Sequence, residues 1–431
     1  MIEIFIDGER LTPMNTFLKG VIRMKSSREL GRSRFLQQGA PWVYSNELQM
    51  PPRESFAPGD WVALETADGQ ALGYGFFNAH SLISFRLFER APFRNEEQTR
   101  AFFFRRLDAA LSLRYLAYPE QAREGTPCFR LCFGESDGVP GFIMDLFRGG
   151  KGGGVAVMQC HAAGADQFIV WAQLWLEERM GITCGIVRND LDVRDREHAP
   201  RATSTWGQVP TDVYAAENGV RFFFDAQRGQ KTGFFYDHRD NRRRLAELAA
   251  AGSWGDKPRF LDCFSYVGSW GLALAKSCPA ATVVCADSSS EALAWVRRNA
   301  EENGLKGRVE AVEADLFADK SVYAVGAYQV VVSDPPALTS SAKQAEEGKR
   351  AHEKCFALAQ QATAPAGVTA FAACSFHLTW DDFLDVCHRA GRKKGHNLQL
   401  FELGRQAADH PMLSALPETR YLKCAFGRQM L

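Results

Sequence analysis

Cys374 closes the apolar run Val368-Thr-Ala-Phe-Ala-Ala-Cys374, and Asp334 follows a similar run, Tyr328-Gln-Val-Val-Val-Ser333, just ahead of Pro335 and Pro336. A thiol and a carboxylate at the ends of successive strands can share one crevice, because open α/β sheets bind ligands outside the carboxyl ends of their strands. A thiolate at that place could add to C6 of a cytosine ring and turn C5 into a nucleophilic enamine carbon. Asp334 could stabilise or protonate N3 as negative charge develops on the ring. The prolines fix φ and remove donors, which holds the carboxylate rigidly. In isolation Cys374 reads more readily as a small buried residue, as Cys263, Cys285 and Cys424 do in their own strand-like runs. His377, three residues further on, is either a tuner of the thiol and substrate contact or a polar group at a helix entry.

Earlier strand ends carry a second kind of chemistry. Leu261-Asp-Cys-Phe-Ser-Tyr-Val-Gly268 leads from a strand into a helix. Gly268 lets the backbone pass close to a ligand, and the helix amino terminus would face a carboxylate. Asp287 is placed to accept from ribose hydroxyls and Asp315 from an adenine amino group. Each could instead be a helix cap or turn residue. Ser288 with Glu291 reads as a capping box, which leaves Asp287 for a ligand, and Thr379 with Asp382 reads as another. Tyr266-Val-Gly268-Ser-Trp-Gly271 lacks the full glycine set that a dinucleotide pyrophosphate requires. S-adenosylmethionine has no pyrophosphate and suits the sparser turn. Asp262, Phe264, Ser265, Tyr266, Gly268, Asp287 and Asp315 are therefore the expected cofactor contacts.

The elements that must position these residues repeat as strand and helix from about residue 216. Seven strand candidates (RFLDCF, TVVCAD, RVEAVEAD, YQVVVSD, VTAFAACS, LQLFEL and YLKCAF) alternate mostly with helical runs, the pattern of a doubly wound α/β sheet. Residues 1–92 read as a small β-rich domain with a hairpin turn at Asp68-Gly69. Residues 93–215 read as an α+β domain entered through a helix over 92–117. Residues 216–431 form the Rossmann-like domain. The glycine tract from Gly149 to Gly154 lacks the Lys-Ser/Thr pair of a phosphate loop and reads as a hairpin tip.

With 431 residues, 46% of them apolar and 24% charged, the chain is globular and longer than one ordinary core. No run predicts a membrane span or a signal peptide, and the eleven cysteines show no zinc spacing, so free thiols in a reducing cytoplasm are expected and no metal is. Acids and bases balance at 51 each, yet basic residues gather at Lys19, Arg23, Lys25, Arg28, Arg32 and Arg34 around the single acid Glu29, at Arg239 with Arg242 to Arg244, and at Arg389 with Arg392 to Lys394. Such patches fit a partner touched through phosphates, or else are solvated faces.

The motifs together resemble the large-subunit ribosomal RNA methyltransferase I family, cytosine-C5 enzymes with an amino-terminal PUA domain. The resemblance rests on Pro41-Trp-Val-Tyr-Ser45, Gly73-Tyr-Gly-Phe-Phe-Asn78 with Ser81, Glu135-Ser-Asp-Gly-Val-Pro-Gly141 and Arg188-Asn-Asp190. It continues in Gly229-Gln-Lys-Thr-Gly-Phe-Phe235 with Asp237 and Arg239, Asp409-His-Pro411 and Pro417-Glu-Thr-Arg-Tyr-Leu-Lys423. It implies a PUA-like domain, an α+β middle domain and a class I methyltransferase domain that uses S-adenosylmethionine. It further implies formation of 5-methylcytosine in large-subunit ribosomal RNA with Cys374 as nucleophile and Asp334 beside it. Lys231, Thr232, Gly233 and Phe234 would approach the methionine end of the cofactor. Pro335, Pro336, His377, Arg23 and Lys25 would meet RNA. This chain departs from the family in having Ala337-Leu338 after the prolines, Ala351-His352 where a tyrosine is usual, and Phe376 after Cys374-Ser. A guanine-nitrogen methyltransferase and an RNA-binding assembly factor that retains the cofactor fold are the alternatives. A homodimer is compatible with the sequence.

Overall fold

The computed structural model describes residues 5–6, 9–10, 18–26, 33–92, 95–123, 127–150, 153–339, 342–393, 395 and 397–430. Arg28, Glu29 and Arg32 of the first basic run, Lys151 and Gly152 of the glycine tract, and Lys394 of the third run lie outside the described residues. The chain divides into two units, Met1–Val213 with Asp225–Phe234 and Asp409–Thr419, and Tyr214–Phe224 with Phe235–Ala408 and Arg420–Leu431.

In the first unit the alternating runs build a six-stranded sheet. Its strands are β1 (Gly20–Met24), β2 (Trp42–Val43), β3 (Leu48–Gln49), β4 (Asp60–Glu65), β5 (Ala71–Phe77) and β6 (Phe85–Glu89), in the order β2-β6-β5-β4-β1-β3. The expected β4–β5 hairpin turns at Asp68-Gly69, where Gly69 takes φ 89°. Helix α1 (Glu96–Ala117) starts on Asn95, whose side chain accepts from the Gln98 amide. Next come β7 (Phe129–Phe133), β8 (Phe142–Gly149), β9 (Gly153–Cys160), α2 (Phe168–Met180), β10 (Gly185–Arg188) and β11 (Thr203–Trp206). One core runs from Trp61, Phe76 and Phe88 through Phe103 to Phe168 and Trp171, with the Phe103 and Phe168 rings stacked 4.9 Å apart. Several motif residues turn out to be buried or half-buried ties of this unit. Glu135 accepts from Trp42 at 2.7 Å and from Arg86 at 2.8 Å, while Asn78 and Ser81 donate to Glu197. Buried polar groups persist when paired in this way.

The second unit opens with a hairpin that the sequence patterns do not announce, β12 (Tyr214–Glu217) and β13 (Val220–Phe223). Then follow α3 (Arg239–Ala251), β14 (Arg259–Cys263), α4 (Ser269–Ser277), β15 (Thr282–Asp287), α5 (Ser290–Glu302), β16 (Val309–Glu313) and β17 (Tyr328–Ser333). The remaining elements are α6 (Ala345–Ala362), β18 (Thr363–Cys374), α7 (Trp380–Lys393), β19 (Leu398–Arg405) and β20 (Leu422–Gln429). The seven-stranded sheet has the order β16-β15-β14-β17-β18-β20-β19. Neighbours from β16 to β18 are parallel, and β20 runs antiparallel to both β18 and β19. All seven strands coincide with the expected runs. The order reverses between β14 and β17, which makes the carboxyl ends of those two strands the topological switch point.

Two expectations are corrected here. Helix α5 is capped by Ser289, whose Oγ accepts from the Ala292 amide at 3.1 Å, and not by Ser288. The cap shifts by one residue because Asp287 Oδ1 accepts from the Ser289 amide and so shapes the turn. The box of Thr379 and Asp382 forms in both directions at the start of α7. Nor are Arg239 and Arg242 part of a basic surface. Both are buried against Glu217 of β12, with Arg242 Nε 2.6 Å and Arg239 Nε 3.3 Å from its carboxylate. Arg243 and Arg244 stay exposed on the other face of α3.

Candidate active site

The loop from β14 to α4 is bent into backbone conformations that non-glycine residues rarely adopt. Phe264 has φ 62°, Tyr266 φ 49° and Gly268 φ 84°. Such outliers cost about 1–3 kcal/mol each and gather at ligand sites. The loop is held by the Ser265 amide on Ala286 O and by the Tyr266 amide on Asp287 Oδ2 at 2.9 Å. Helix α4 lies tight on the sheet at Gly271, where a Cβ would come within 2.3 Å of Cys285 Sγ. The Gly271 amide donates to Asp262 Oδ2 at 2.8 Å.

Two polar atoms, one at the end of β14 and one in this loop, are left unanswered. Asp262 Oδ1 and Ser265 Oγ are buried with no hydrogen-bond partner among the described residues. Burial pushes the Asp262 carboxyl up to about 8, against the opposing pull of the Gly271 N–H. A rigid loop with unsatisfied buried acceptors, ending at a helix amino terminus, fits a ligand that brings cationic or hydroxyl groups. S-adenosylmethionine carries both. Asp287, half-buried at the end of β15, gives one oxygen to each of two backbone amides and keeps acceptor capacity to spare. Asp315 is exposed beyond β16, and its Oδ1 accepts from the amides of Phe317 and Ala318. The ring of Phe264 packs at 5.3 Å from that of Phe317.

Across the switch point, Asp334 and Cys374 meet as expected at the ends of β17 and β18. Their meeting point is a third residue, His238, on the turn that enters α3. Cys374 Sγ lies 3.7 Å from His238 Nε2, and Asp334 Oδ1 lies 3.5 Å from the same nitrogen. Asp334 Oδ2 accepts from the indole N–H of Trp270 at 3.1 Å. Burial alone would raise the Asp334 pKa. The His238 imidazole, through its charge when protonated and its N–H, joins Trp270 in holding it below the ordinary carboxylate value. Side-chain atoms of His238, Asp334 and Cys374 lie within 4.8 Å of one another.

Around this cluster Pro335 is buried and Pro336 exposed. Ser375 Oγ donates to Thr339 O at 2.7 Å, and Lys423 Nζ donates to Ser375 O at 2.5 Å. Burial lowers Lys423 to about 8 in spite of the raising influence of Cys374. His352 is buried, and its Nδ1 lies 2.8 Å from Gly348 O.

The histidine beside the thiol is therefore His238 and not His377. The His377 ring lies 5.6 Å from that of Phe376, on the turn leading into α7. Nothing local in the sequence ties His238 to Cys374. Its only signal is a place between Asp237 and Arg239, in the segment leading into the methyltransferase fold. Lys231, Thr232, Gly233 and Phe234 belong to the first unit, Lys231 at φ 51° and Thr232 and Phe234 buried. Arg23 and Lys25 also lie in the first unit, Arg23 exposed and paired with Glu65 at 3.2 Å.

Comparison with known proteins agrees with this architecture. A family model described as a PUA-like domain matches residues 30–90, and one described as an S-adenosylmethionine-dependent methyltransferase matches residues 190–359. SMU.776 complexed with SAH superposes with a TM-score of 0.74 at 15% identity, covering 96% of this chain and 100% of that one. A chain from Streptococcus mutans gives 0.72 at 15% identity, covering 95% of this chain and 100% of its own length. At such identities the likeness speaks to fold alone. The ribosomal RNA large subunit methyltransferase I of Aeromonas salmonicida (strain A449) is 33% identical over 402 residues, 91% of this chain and 96% of that protein. The namesake from Serratia proteamaculans (strain 568) is 32% identical over 404 residues, with 91% and 96% covered. The matched methyltransferase domain and relatives covered over nine tenths of their length lead to one conclusion: the chain is an S-adenosylmethionine-dependent methyltransferase of the ribosomal RNA large subunit methyltransferase I family.

Proposed function

We propose that this enzyme forms 5-methylcytosine in large-subunit ribosomal RNA, with Cys374 as the nucleophile. The observation that carries the reading is the convergence of Cys374, Asp334 and His238 at the strand ends across from the cofactor loop. The relatives are named for ribosomal RNA of the large subunit, which supports that substrate.

In this reading Asp262, Phe264, Ser265, Tyr266 and Gly268 hold the methionine and sulfonium region of the cofactor, with Lys231, Thr232, Gly233 and Phe234 at its carboxylate end. Asp287 takes the ribose hydroxyls and Asp315 the adenine amine. When bound, S-adenosylmethionine supplies an electrophilic methyl carbon. The target base is flipped from its helix, as chemistry on a base edge requires. Cys374 thiolate then forms a bond to C6, and the electron pair of the C5–C6 double bond moves into the ring as an enamine, making C5 nucleophilic. N3 takes up a proton from solvent as the ring accepts the thiolate, the Asp334 carboxylate, held below its ordinary pKa, accepts the resulting N3–H, and that proton is released when the double bond is restored. After C5 is methylated, its proton passes to a base, the C6–S bond breaks, the double bond is restored and the thiolate leaves.

Pro335, Pro336 and His377 would border the flipped base. Arg23 and Lys25 would touch RNA phosphates. Residues 1–92, 93–215 and 216–431 would act as a PUA-like RNA module, an α+β module and the catalytic module. All eleven cysteines are free, in keeping with a reducing cytoplasm. Among the described residues no helix is long and apolar enough to cross a membrane.

The test is to incubate enzyme, labelled S-adenosylmethionine and unmodified ribosomal RNA, then identify the methylated nucleoside by mass spectrometry. The account expects 5-methylcytosine from the wild type and none from Cys374→Ala. A methylguanine, or equal activity in the variant, would overturn the cysteine mechanism. RNA binding without any product would favour an assembly factor.

A further inference from the structure

We infer that His238 is a standing N–H donor to the Cys374 sulfur, locked in one tautomer by Asn241, so that it stabilises the thiolate without taking the thiol proton. The inference rests on the proposed role of Cys374 as nucleophile, and it concerns a residue that sequence motifs did not mark.

The argument begins at Asn241, one turn along α3. Its Nδ2 lies 3.0 Å from Arg405 O and 3.1 Å from His238 Nδ1. A carbonyl oxygen only accepts, so the amide nitrogen and not its oxygen must face Arg405, which fixes the amide orientation. The same NH₂ group then presents a donor to His238 Nδ1, and Nδ1 must hold a lone pair. Asn241 cannot easily turn over. It is buried, and its Oδ1 occupies the space left by the missing side chain of Gly404, whose Cβ would sit 2.1 Å from that oxygen.

With Nδ1 accepting, the neutral imidazole carries its proton on Nε2. That is the nitrogen 3.7 Å from Cys374 Sγ and 3.5 Å from Asp334 Oδ1. The ring is only 2% exposed and lies 5.2 Å from that of Trp270, which restricts its rotation. An N–H held against the sulfur of the half-buried Cys374 favours the charged form of the thiol. The other facing groups divide. Asp334 opposes a second negative charge, with Asp237 beside it. Lys423, bonded to Ser375 O, favours the thiolate, and His352 on α6 faces Asp334 and Lys423. His238 thus presents one N–H to both the sulfur and the Asp334 carboxylate, whose other oxygen is answered by Trp270. In a thiolate–imidazolium pair, by contrast, the ring would receive the thiol proton on Nε2 and would need an acceptor at Nδ1. Asn241 offers a donor there. The thiol proton accordingly leaves to solvent.

The test is the pH dependence of iodoacetamide alkylation at Cys374, followed by peptide mass spectrometry on the full-length protein between about pH 6 and 10. Wild type, His238→Gln and His238→Leu are compared, with S-adenosylmethionine binding by calorimetry as the check on folding. Glutamine places an N–H near the position of Nε2 and cannot accept a proton there. It is expected to keep the alkylation midpoint close to wild type. Leucine is expected to raise the midpoint by about one pH unit, roughly a tenfold slower reaction at neutral pH. An unchanged midpoint in His238→Leu overturns the inference. So does a His238→Gln profile shifted as far as that of His238→Leu, since the imidazole would then be working as a base. Alkylation needs no RNA, so a shift seen in an enzyme that makes no 5-methylcytosine would sink the proposed product and leave this inference standing.

Discussion

Asp262 shows how burial decides the charge of a single residue before any ligand arrives. Its pKa rises from 3.8 to about 8, first through burial. A carboxyl whose folded value exceeds its unfolded one contributes stability that is fully present below about pH 4 and is lost as pH rises through 8. Asp262→Asn removes that dependence. Urea midpoints should therefore fall for the wild type relative to the variant between about pH 4 and 8, and a constant difference across the window would contradict the assignment. At this scale the sequence reveals what strand ends reveal. Cys374, Asp334 and Asp287 each follow an apolar run, and each sits where that run stops. His238 escapes because its partner is 136 residues away in the chain and the turn holding it has no periodicity to read. Arg239 and Arg242 mislead for a related reason. Their partner Glu217 sits in a strand too short to announce itself, so a buried ion pair looks like a basic surface.

That ion pair matters most as a join between elements, since it ties the β12–β13 hairpin to α3. Arg242 and Glu217 are almost fully buried, so Glu217→Ala would take a shared carboxylate from two buried guanidinium groups and should cost about 3–5 kcal/mol in denaturant unfolding. A loss below about 1 kcal/mol would mean that water reaches the site. Gly271→Ala tests the contact of α4 with β15. The added methyl meets Cys285 Sγ, and overpacking should cost about 1–3 kcal/mol and weaken S-adenosylmethionine binding, because the loop proposed to hold the cofactor leads into this helix. The strands of the second unit are readable because parallel strands buried on both faces appear as continuous apolar runs. The hairpin is not, since Tyr214–Glu217 and Val220–Phe223 are four residues each and carry charge. The cap of α5 slips by one because Ser288, Ser289 and Ser290 are consecutive and only the side chain of Asp287 chooses among them.

For the whole molecule, charge balance at 51 acids and 51 bases means that RNA must be gripped by local groups and not by a global field. Reversing Arg23 and Lys25 together to glutamate should weaken ribosomal RNA binding and reduce the salt slope of log K by about one for each phosphate no longer neutralised. An unchanged slope would remove both from the interface. The family is legible because its motifs are scattered along the whole chain, whereas the proposed product rests on one thiol. The most direct measurement uses ribosomal RNA carrying 5-fluorocytidine, whose C5 fluorine cannot leave as a proton does, so that a C6 adduct persists. Incubated with S-adenosylmethionine, the wild type should yield a covalent protein–RNA complex whose digestion maps the methylated nucleotide to Cys374, and Cys374→Ala should yield none. Methylation of unsubstituted RNA with no adduct at Cys374 would contradict the account at its centre.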